Sequence, residues 1–165
     1  MERVIYLLLG SNQGNRFENL SRALQMVDQT VGEIIQKSAL YETDAWGNEE
    51  QSVFVNQVIQ IESDLDPHAL LSKISTIESA IGRIRTVKWG PRIIDIDILF
   101  FGDQIINVED LTIPHPGIPE RRFTLVPLCE IAPDFIHPQL KKTMQQLLAA
   151  CPDPLPVRML NNTKC

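Results

Sequence analysis

Short apolar segments alternate with two amphipathic helices in the N-terminal part of this chain, and that order constrains the fold more than any other feature. The apolar run at residues 4–9 ends at Gly10, which is typical of a buried strand. Apolar residues then recur at intervals of three and four over residues 16–29 and again over 66–81, so both segments predict a helix. The second helix has a clear start, because Asp66 is a favoured capping residue and a proline follows it.

Three further segments, rich in β-branched and aromatic residues, predict strands at residues 34–43, 53–61 and 93–101. A glycine and an aspartate follow the last strand, and we expect residues 104–108 to return as its hairpin partner. The resulting order is β-α-β-β-α-β-β. It predicts an α+β fold, a ferredoxin-like sandwich in which helices cover a mainly antiparallel sheet.

The C-terminal part has a different composition. Nine of the 11 prolines lie at or after Pro114, and short helices are predicted at residues 125–131 and 143–150. Since no flexible linker separates this part, we expect a Pro-rich elaboration packed on the same core. The prediction is a single domain over residues 1–160, followed by a frayed tail at 161–165.

The charge is negative overall but unevenly distributed. The chain has 15 basic and 21 acidic residues, a net charge of −6, which argues against a protein that coats nucleic acid or an anionic membrane. Residues 83–92 nevertheless hold four cations and no acid, which leaves 11 − 21 = −10 for the rest. Such a basic cluster suits one small polyphosphate. The alternative is pairing of these cations with acids on the surface.

Cysteine usage and hydropathy predict a cytoplasmic protein with no membrane partner. The three cysteines are far apart and form no C-x-x-C pair, so neither a disulfide framework nor a zinc site is expected. No apolar stretch approaches the roughly 18 residues of a membrane span. The N-terminal apolar run is also shorter than that of a signal peptide and lacks a cleavage site.

Two acidic residues interrupt the strand predicted at residues 93–101. Asp95 and Asp97 are two positions apart, so both side chains lie on one face of the strand. Neighbouring carboxylates repel each other, and a divalent cation removes that penalty. Mg²⁺ is typically held by one or two carboxylates together with substrate phosphates and water. Two solvated acids on an edge strand would be an equally simple explanation, but the adjacent basic cluster favours a Mg²⁺–polyphosphate site.

An aromatic side chain and an amide share one face of the strand predicted at residues 53–61. Phe54 and Asn56 could recognise a flat heterocycle by stacking and paired hydrogen bonds. The same pair could equally be core packing beside a satisfied polar group. Glu78 lies on the apolar stripe of the second helix, where it is either paired with a neighbouring arginine or placed at a site.

Two further candidates follow in the Pro-rich part of the chain. His115 lies between two prolines and could hydrogen-bond a phosphate, although a lone histidine is more often a surface residue. Arg121 and Arg122 form a second basic spot beside Phe123.

Taken in order and with their spacing, several short segments of the chain resemble one enzyme family. The resemblance is to the 6-hydroxymethyl-7,8-dihydropterin pyrophosphokinases of folate biosynthesis, and it extends from about residue 4 to 138. The matching segments are Leu9-Gly10-Ser11-Asn12, Tyr41-Glu42-Thr43, Phe54-Val55-Asn56, Glu78, Gly82-Arg83-Ile84-Arg85, Trp89-Gly90-Pro91-Arg92-Ile93-Ile94-Asp95-Ile96-Asp97, Ile113-Pro114-His115 and Arg121-Arg122-Phe123.

The resemblance implies a monomeric enzyme that transfers pyrophosphate from ATP, its co-substrate, to the hydroxymethyl group of the pterin and releases AMP. It implies two Mg²⁺ ions held by Asp95 and Asp97. The catalytic residues it implies are Arg83, Arg92, Asp95 and Asp97. The residues implied to contact ATP are Arg83, Arg85, Trp89, Arg92, Ile98, Thr112, His115 and Arg121. Those implied to bind the pterin are Thr43, Ala45, Trp46, Phe54, Asn56 and Phe123.

Two other function classes stay open from the residues alone. One is a non-catalytic ferredoxin-like module that binds RNA or a small ligand, although the acidic composition and the aspartate pair disfavour RNA. The other is a hydrolase that uses Asp95 and Asp97 as acid and base. The basic cluster at residues 83–92 disfavours that reading, because a neutral substrate does not call for it.

Overall fold

The computed structural model describes residues 3–44, 53–82 and 93–160. Its strands are β1 (Arg3–Ser11), β2 (Glu33–Lys37), β3 (Tyr41–Thr43), β4 (Phe54–Ser63), β5 (Asp95–Phe101), β6 (Ile106–Val108), β7 (Leu111–Ile113) and β8 (Val157–Met159). Its α-helices are α1 (Arg16–Thr30), α2 (Pro67–Ile81), α3 (Arg122–Ile131) and α4 (Met144–Ala149). In these ranges no helix is long and apolar enough to cross a membrane.

The main sheet is antiparallel and has the order β5-β1-β4-β3-β8, with β2 also paired to β4. Helices α1 and α2 pack on one face. Their apolar stripes meet side chains of the central strands in a buried cluster that includes Leu20, Ile77, Leu7 and Ile59. The helices form where the three-to-four spacing predicts them, and Asp66 caps α2 by accepting a hydrogen bond from the Ala69 amide. The α+β sandwich expected from the sequence is confirmed.

Within residues 3–44, 53–82 and 93–160, helices cover the other face of the sheet along only part of its length. Helices α3 and α4 pack there over a second buried cluster that includes Tyr6, Leu8, Val58 and Phe100. The next residues on this face are Gly10 on β1, Asn56 on β4 and Asp95 on β5, all of them polar or small. The sheet therefore has one packed end and one polar end on this face, and the candidate site lies at the polar end.

The strand predicted at residues 34–43 is two strands in the structure. The chain leaves β4 after Lys37 and pairs with it again from Tyr41. Ser38 marks the break: its hydroxyl accepts a hydrogen bond from the Val58 amide, and its carbonyl accepts one from the Gln57 side chain. A polar side chain has replaced one step of the strand pairing.

The hairpin predicted after β5 is wrong in its pairing. Residues 106–108 do form a strand, but it pairs with β7 in a separate two-stranded sheet. Gly102 has a positive φ of 56° and its amide donates to the carbonyl of Val4, so the turn joins β5 to the start of β1.

The last strand, β8, is absent from the sequence-based assignment. It has three residues and lies against β3, with Thr43 opposite Val157 and Tyr41 opposite Met159. A strand this short has too little alternation to be recognised. It nevertheless returns the chain to the sheet beside the candidate site. The tail predicted to be frayed, residues 161–165, lies outside the described residues.

Candidate active site

The register of three strands places the candidate residues in adjacent rows at the polar end of the sheet. Gly10 of β1 lies between Asp95 of β5 on one side and Asn56 of β4 on the other. Directly opposed residues of antiparallel strands point to the same face. Phe54 and Asp97, two positions along their own strands, therefore point to that face as well. The shared faces predicted for the aspartate pair and for Phe54 and Asn56 are confirmed.

Gly10 is required by the close approach of the neighbouring strand. A Cβ atom at this position would lie 2.5 Å from Oδ1 of Asn56, which is shorter than real Cβ contacts. Because Gly10 has no side chain, the Asn56 amide can lie over β1.

The Asn56 amide is held in one orientation. Its Nδ2 donates to Oγ1 of Thr43 at 3.0 Å, and both side chains are buried. Phe54 is half-buried at the start of β4. Next to it, Nη1 of Arg16 donates to the carbonyl oxygen of Val53 at 2.9 Å. The Asn56 amide is thus held by a side-chain contact, and Phe54 follows Val53, whose main chain Arg16 holds.

The strand that carries the aspartates is held at its outer edge by a helix. Oε2 of Glu78 on α2 accepts a hydrogen bond of 2.8 Å from the backbone amide of Ile96, between Asp95 and Asp97. Glu78 is buried. It therefore bonds to the edge of β5 from the side opposite β1. The sequence identified this glutamate as either an ion-pair partner or a site residue, and the described contact is to a backbone group.

His115 approaches the aspartates from the segment after β7. Its Nδ1 accepts a hydrogen bond from the Gly117 amide, which leaves Nε2 as the protonated nitrogen of the neutral ring. Nε2 lies 4.0 Å from Oδ2 of Asp97. The pKa of His115 is lowered from 6.5 to about 4, first by burial and then by the charge of Arg121, while Asp95 opposes the shift. At neutral pH the ring is a neutral donor directed at the aspartate side of the site.

Arg121 and Phe123 lie at the start of α3. The guanidinium of Arg121 is 5.8 Å from the centre of the Phe123 ring and packs over Gly117, where a Cβ would lie 2.7 Å from its Nε. The amide of His115 donates to the carbonyl of Leu99 on β5. The aspartate strand, His115 and the start of α3 are thus connected through a short chain of contacts.

The carboxylate oxygens of the candidate site suit a hard cation that is also bound by phosphate oxygens. Asp95 and Asp97 are both half-buried and present carboxylates on one face. Among the described residues no group of three or more His, Cys, Asp or Glu side chains could hold a metal ion. A two-carboxylate site fits Mg²⁺, which keeps several water or phosphate ligands.

Some predicted residues lie elsewhere or outside the described ranges. Ile98 points to the opposite face and packs in the cluster under α1 and α2, so only its main chain could reach a nucleotide. Thr112 is exposed on β7. Six predicted residues lie outside the described residues: Arg83, Arg85, Trp89, Arg92, Ala45 and Trp46.

Two supporting carboxylates were missed from the sequence. Glu130 of α3 accepts hydrogen bonds from the Tyr41 hydroxyl at 2.6 Å and from the Ala39 amide, which ties α3 to β3. Asp153 is buried and accepts a hydrogen bond from the Arg122 amide at the start of α3. Asp153 is followed by proline, as the capping residue Asp66 is, and that pattern is the available signal.

Fold and site together define an α+β protein with a candidate site for a cation–polyphosphate complex beside residues suited to a flat ring. The family model described as 7,8-dihydro-6-hydroxymethylpterin-pyrophosphokinase (HPPK) matches residues 6–133. The chain belongs to this family.

Individual relatives agree with that assignment. The 2-amino-4-hydroxy-6-hydroxymethyldihydropteridine pyrophosphokinase of Aquifex aeolicus is 42% identical over 142 residues, which cover 86% of this chain and 88% of that protein. The enzyme of the same name from Bacillus subtilis is 42% identical over 132 residues, covering 79% of each.

Longer proteins also match over part of their length. The folic acid synthesis protein FOL1 of Dictyostelium discoideum is 40% identical over 91% of this chain, but the match covers only 23% of FOL1. A solved Plasmodium falciparum HPPK-DHPS structure has a TM-score of 0.75 at 20% identity over 91% of this chain and 43% of that one. At that identity the structural likeness supports the fold.

Proposed function

We propose that this chain transfers the pyrophosphoryl group of ATP to the hydroxymethyl group of 6-hydroxymethyl-7,8-dihydropterin, in folate biosynthesis. Membership of the pyrophosphokinase family supports this reaction. The observation that carries it in the structure is one sheet face that joins Asp95 and Asp97 to Asn56 through Gly10. The aspartates proposed to bind the phosphates and the amide proposed to bind the ring are neighbours on that face, which suits a transfer between two bound substrates.

The reaction balances without an additional reactant. The pterin hydroxyl oxygen forms a bond to the β-phosphorus of ATP, and the bond from that phosphorus to the oxygen bridging it to the α-phosphate breaks. AMP leaves with the bridging oxygen, and the hydroxyl proton passes to solvent. Because little covalent chemistry is left to the protein, its contribution is placement of the two substrates and stabilisation of charge.

Asp95 and Asp97 are proposed to hold two Mg²⁺ ions on the ATP phosphates. Bound Mg²⁺ would neutralise phosphate charge and lower the pKa of the attacking hydroxyl. His115 is neutral, and the Nε2 hydrogen is proposed to be donated to a phosphate oxygen. Ile98 would take part through its main chain, and Thr112 and Arg121 would contact the nucleotide. Arg83, Arg85, Trp89 and Arg92 complete the proposed nucleotide-binding set.

The pterin is proposed to bind between Phe54 and Phe123, with hydrogen bonds to Asn56 and Thr43. A pterin edge alternates donors and acceptors, and the fixed amide of Asn56 offers both. Ala45 and Trp46 complete the proposed pterin-binding set. We also propose a single domain over residues 1–160 and a monomer in the cytoplasm, expectations that rest on composition and family resemblance.

The decisive assay mixes the protein with ATP, Mg²⁺ and the hydroxymethyl-dihydropterin and separates the nucleotides. AMP should form in step with the pterin diphosphate; formation of ADP, or no turnover, would contradict the proposal. Asp97→Asn keeps the size of the side chain but removes its charge, and should lower turnover by roughly a hundredfold or more. Asp103→Asn, in an exposed turn after the same strand, is the matched control and should behave as the unmodified chain.

A magnesium titration separates the transfer reaction from simple ligand binding. Binding of a non-hydrolysable ATP analogue, measured by calorimetry, should weaken when Mg²⁺ is chelated and in Asp97→Asn. Metal-independent binding would instead favour the non-catalytic ligand-binding module, which neither the family match nor the paired carboxylates support.

A further inference from the structure

The C-terminal segment of the chain reaches both sides of the candidate site. Residues 157–159 pair with β3, with Val157 directly opposite Thr43. Four residues earlier, the carboxylate of Asp153 is buried against the start of α3. Both contacts lie beyond residue 133, where the match to the family model ends.

Asp153 supplies a cap that α3 lacks locally. The residue before the helix is Arg121, whose side chain makes no capping hydrogen bond. Oδ2 of Asp153 instead accepts a hydrogen bond of 3.0 Å from the Arg122 amide, although 31 positions separate the two residues. A carboxylate at a helix N-terminus is also favoured by the helix dipole.

The second oxygen of Asp153 fixes the segment from which it projects. Oδ1 accepts a hydrogen bond of 2.9 Å from the Leu155 amide. Both oxygens thus accept from backbone amides, and the residue is 6% exposed. A buried carboxylate with two such partners has little freedom to move, so the Arg122 amide is held in a fixed position.

The position of the Arg122 amide matters because the residues on either side are candidate site residues. Arg121 precedes it and Phe123 follows it, and the two side chains lie against each other with 5.8 Å between guanidinium carbon and ring centre. Any shift or fraying of the first turn of α3 moves both side chains together. The same segment, through β8, holds Thr43 at the pterin-facing end of β3.

We infer that Asp153 is a positioning residue for substrate binding, which sets Arg121 and Phe123 through a long-range cap on α3. The inference rests on the proposed function for the identity of the ligands. It assigns to the C-terminal segment a direct part in ordering the site, and Asp153 itself touches no substrate.

The test compares two helix caps of the same chemistry. Asp153→Ala removes the cap of α3, and Asp66→Ala removes the cap of α2, whose carboxylate accepts from the Ala69 amide at 2.8 Å on the far side of the sheet. Both variants should unfold at lower denaturant concentration. Only Asp153→Ala should weaken pterin binding, by roughly tenfold or more in calorimetry, because displacement of a binding group is costly even from a distance.

A second comparison identifies the route of the effect. Phe123→Ala alone should weaken pterin binding. Asp153→Ala should then weaken pterin binding much less in the Phe123→Ala protein than in the unmodified chain. Asp153→Asn keeps one acceptor oxygen and should recover part of the lost affinity. The inference would be overturned if the effects of the two changes on pterin binding were additive. It would also be overturned if Asp153→Ala and Asp66→Ala bound pterin with equal affinity.

The outcomes also separate this inference from the proposed reaction. If the unmodified chain binds pterin but forms no AMP, the proposed reaction fails while the comparison of caps can still be made. If AMP forms normally and Asp153→Ala binds pterin as the unmodified chain does, only the positioning role fails.

Discussion

The hydrogen bond from Ile96 to Glu78 gives a prediction whose size can be worked from the structure. Glu78→Ala leaves the buried Ile96 amide without the acceptor that lies 2.8 Å away. An unsatisfied buried donor costs about 1–3 kcal/mol, and the lost methylene adds about 0.8 kcal/mol. Relief of carboxylate desolvation offsets part of this. We expect a loss of roughly 2–3 kcal/mol in the free energy of unfolding, or about 4–12 °C in Tm for a chain of this size.

Glu78→Gln separates the hydrogen bond from the charge. The amide oxygen of glutamine can accept from Ile96, so this hydrogen bond is kept without its charge-assisted part, which is worth about 1 kcal/mol. Urea denaturation monitored by circular dichroism measures both variants. Ser79→Ala, at an exposed neighbouring position on α2, controls for changes in helix propensity.

The same bond should also affect the proposed metal site, because Ile96 lies between the two aspartates. Magnesium-dependent binding of an ATP analogue should weaken about tenfold in Glu78→Ala and be largely retained in Glu78→Gln. Equal losses in the two variants would refute the reasoning, since the charge of Glu78 would then matter rather than the bond to β5. A stability loss with unchanged magnesium dependence would refute the positioning part alone.

Two further predictions test the pKa of His115 and the close approach at Gly10. The pKa of His115 is lowered from 6.5 to about 4, so its contribution to stability is complete above pH 6.5 and is lost as pH falls toward 4. That contribution is at most about 3 kcal/mol. Denaturation at several pH values should show a smaller rise in stability from pH 4 to 6.5 in His115→Gln than in the unmodified chain. An unchanged rise would contradict the lowered pKa of His115. Gly10→Ala places a Cβ 2.5 Å from Oδ1 of Asn56. It should cost about 1–3 kcal/mol and sharply reduce pterin binding in calorimetry, whereas normal affinity would show that the Asn56 amide is not a ligand.

Features set by local periodicity could be predicted from the sequence. The capped start of α2 at Asp66 follows from two adjacent residues, and the shared face of Asp95 and Asp97 follows from the two-residue period of a strand. Neither depends on a distant partner. The strand pairing is different: residues 106–108 pair with β7 rather than β5, because turn residues alone do not select between two neighbouring strands.

Features set by distant contacts could not be predicted. The break between β2 and β3 depends on Ser38 bonding to Val58, 20 positions away. The cap on α3 depends on Asp153, and that helix begins three residues before the predicted start. In each case a polar side chain satisfies a backbone group of another element. Sequence spacing carries no information about which element that is.

The division of one sheet face explains how the aspartate pair can stand in a strand, since Asp95 lies in the polar part and Asp97 lies at its boundary with the packed part. Asp97 is opposite Leu8, and Leu8 is opposite Val58, a side chain in the cluster under α3 and α4. The next row, with Asp95, Gly10 and Asn56, carries no large apolar side chain. The packed rows fix the backbone positions of the polar rows, since the strands are continuous through both. The core therefore sets the spacing between the groups proposed to bind the cation and the ring, and we expect the peripheral contacts of Glu78 and Asp153 to refine it.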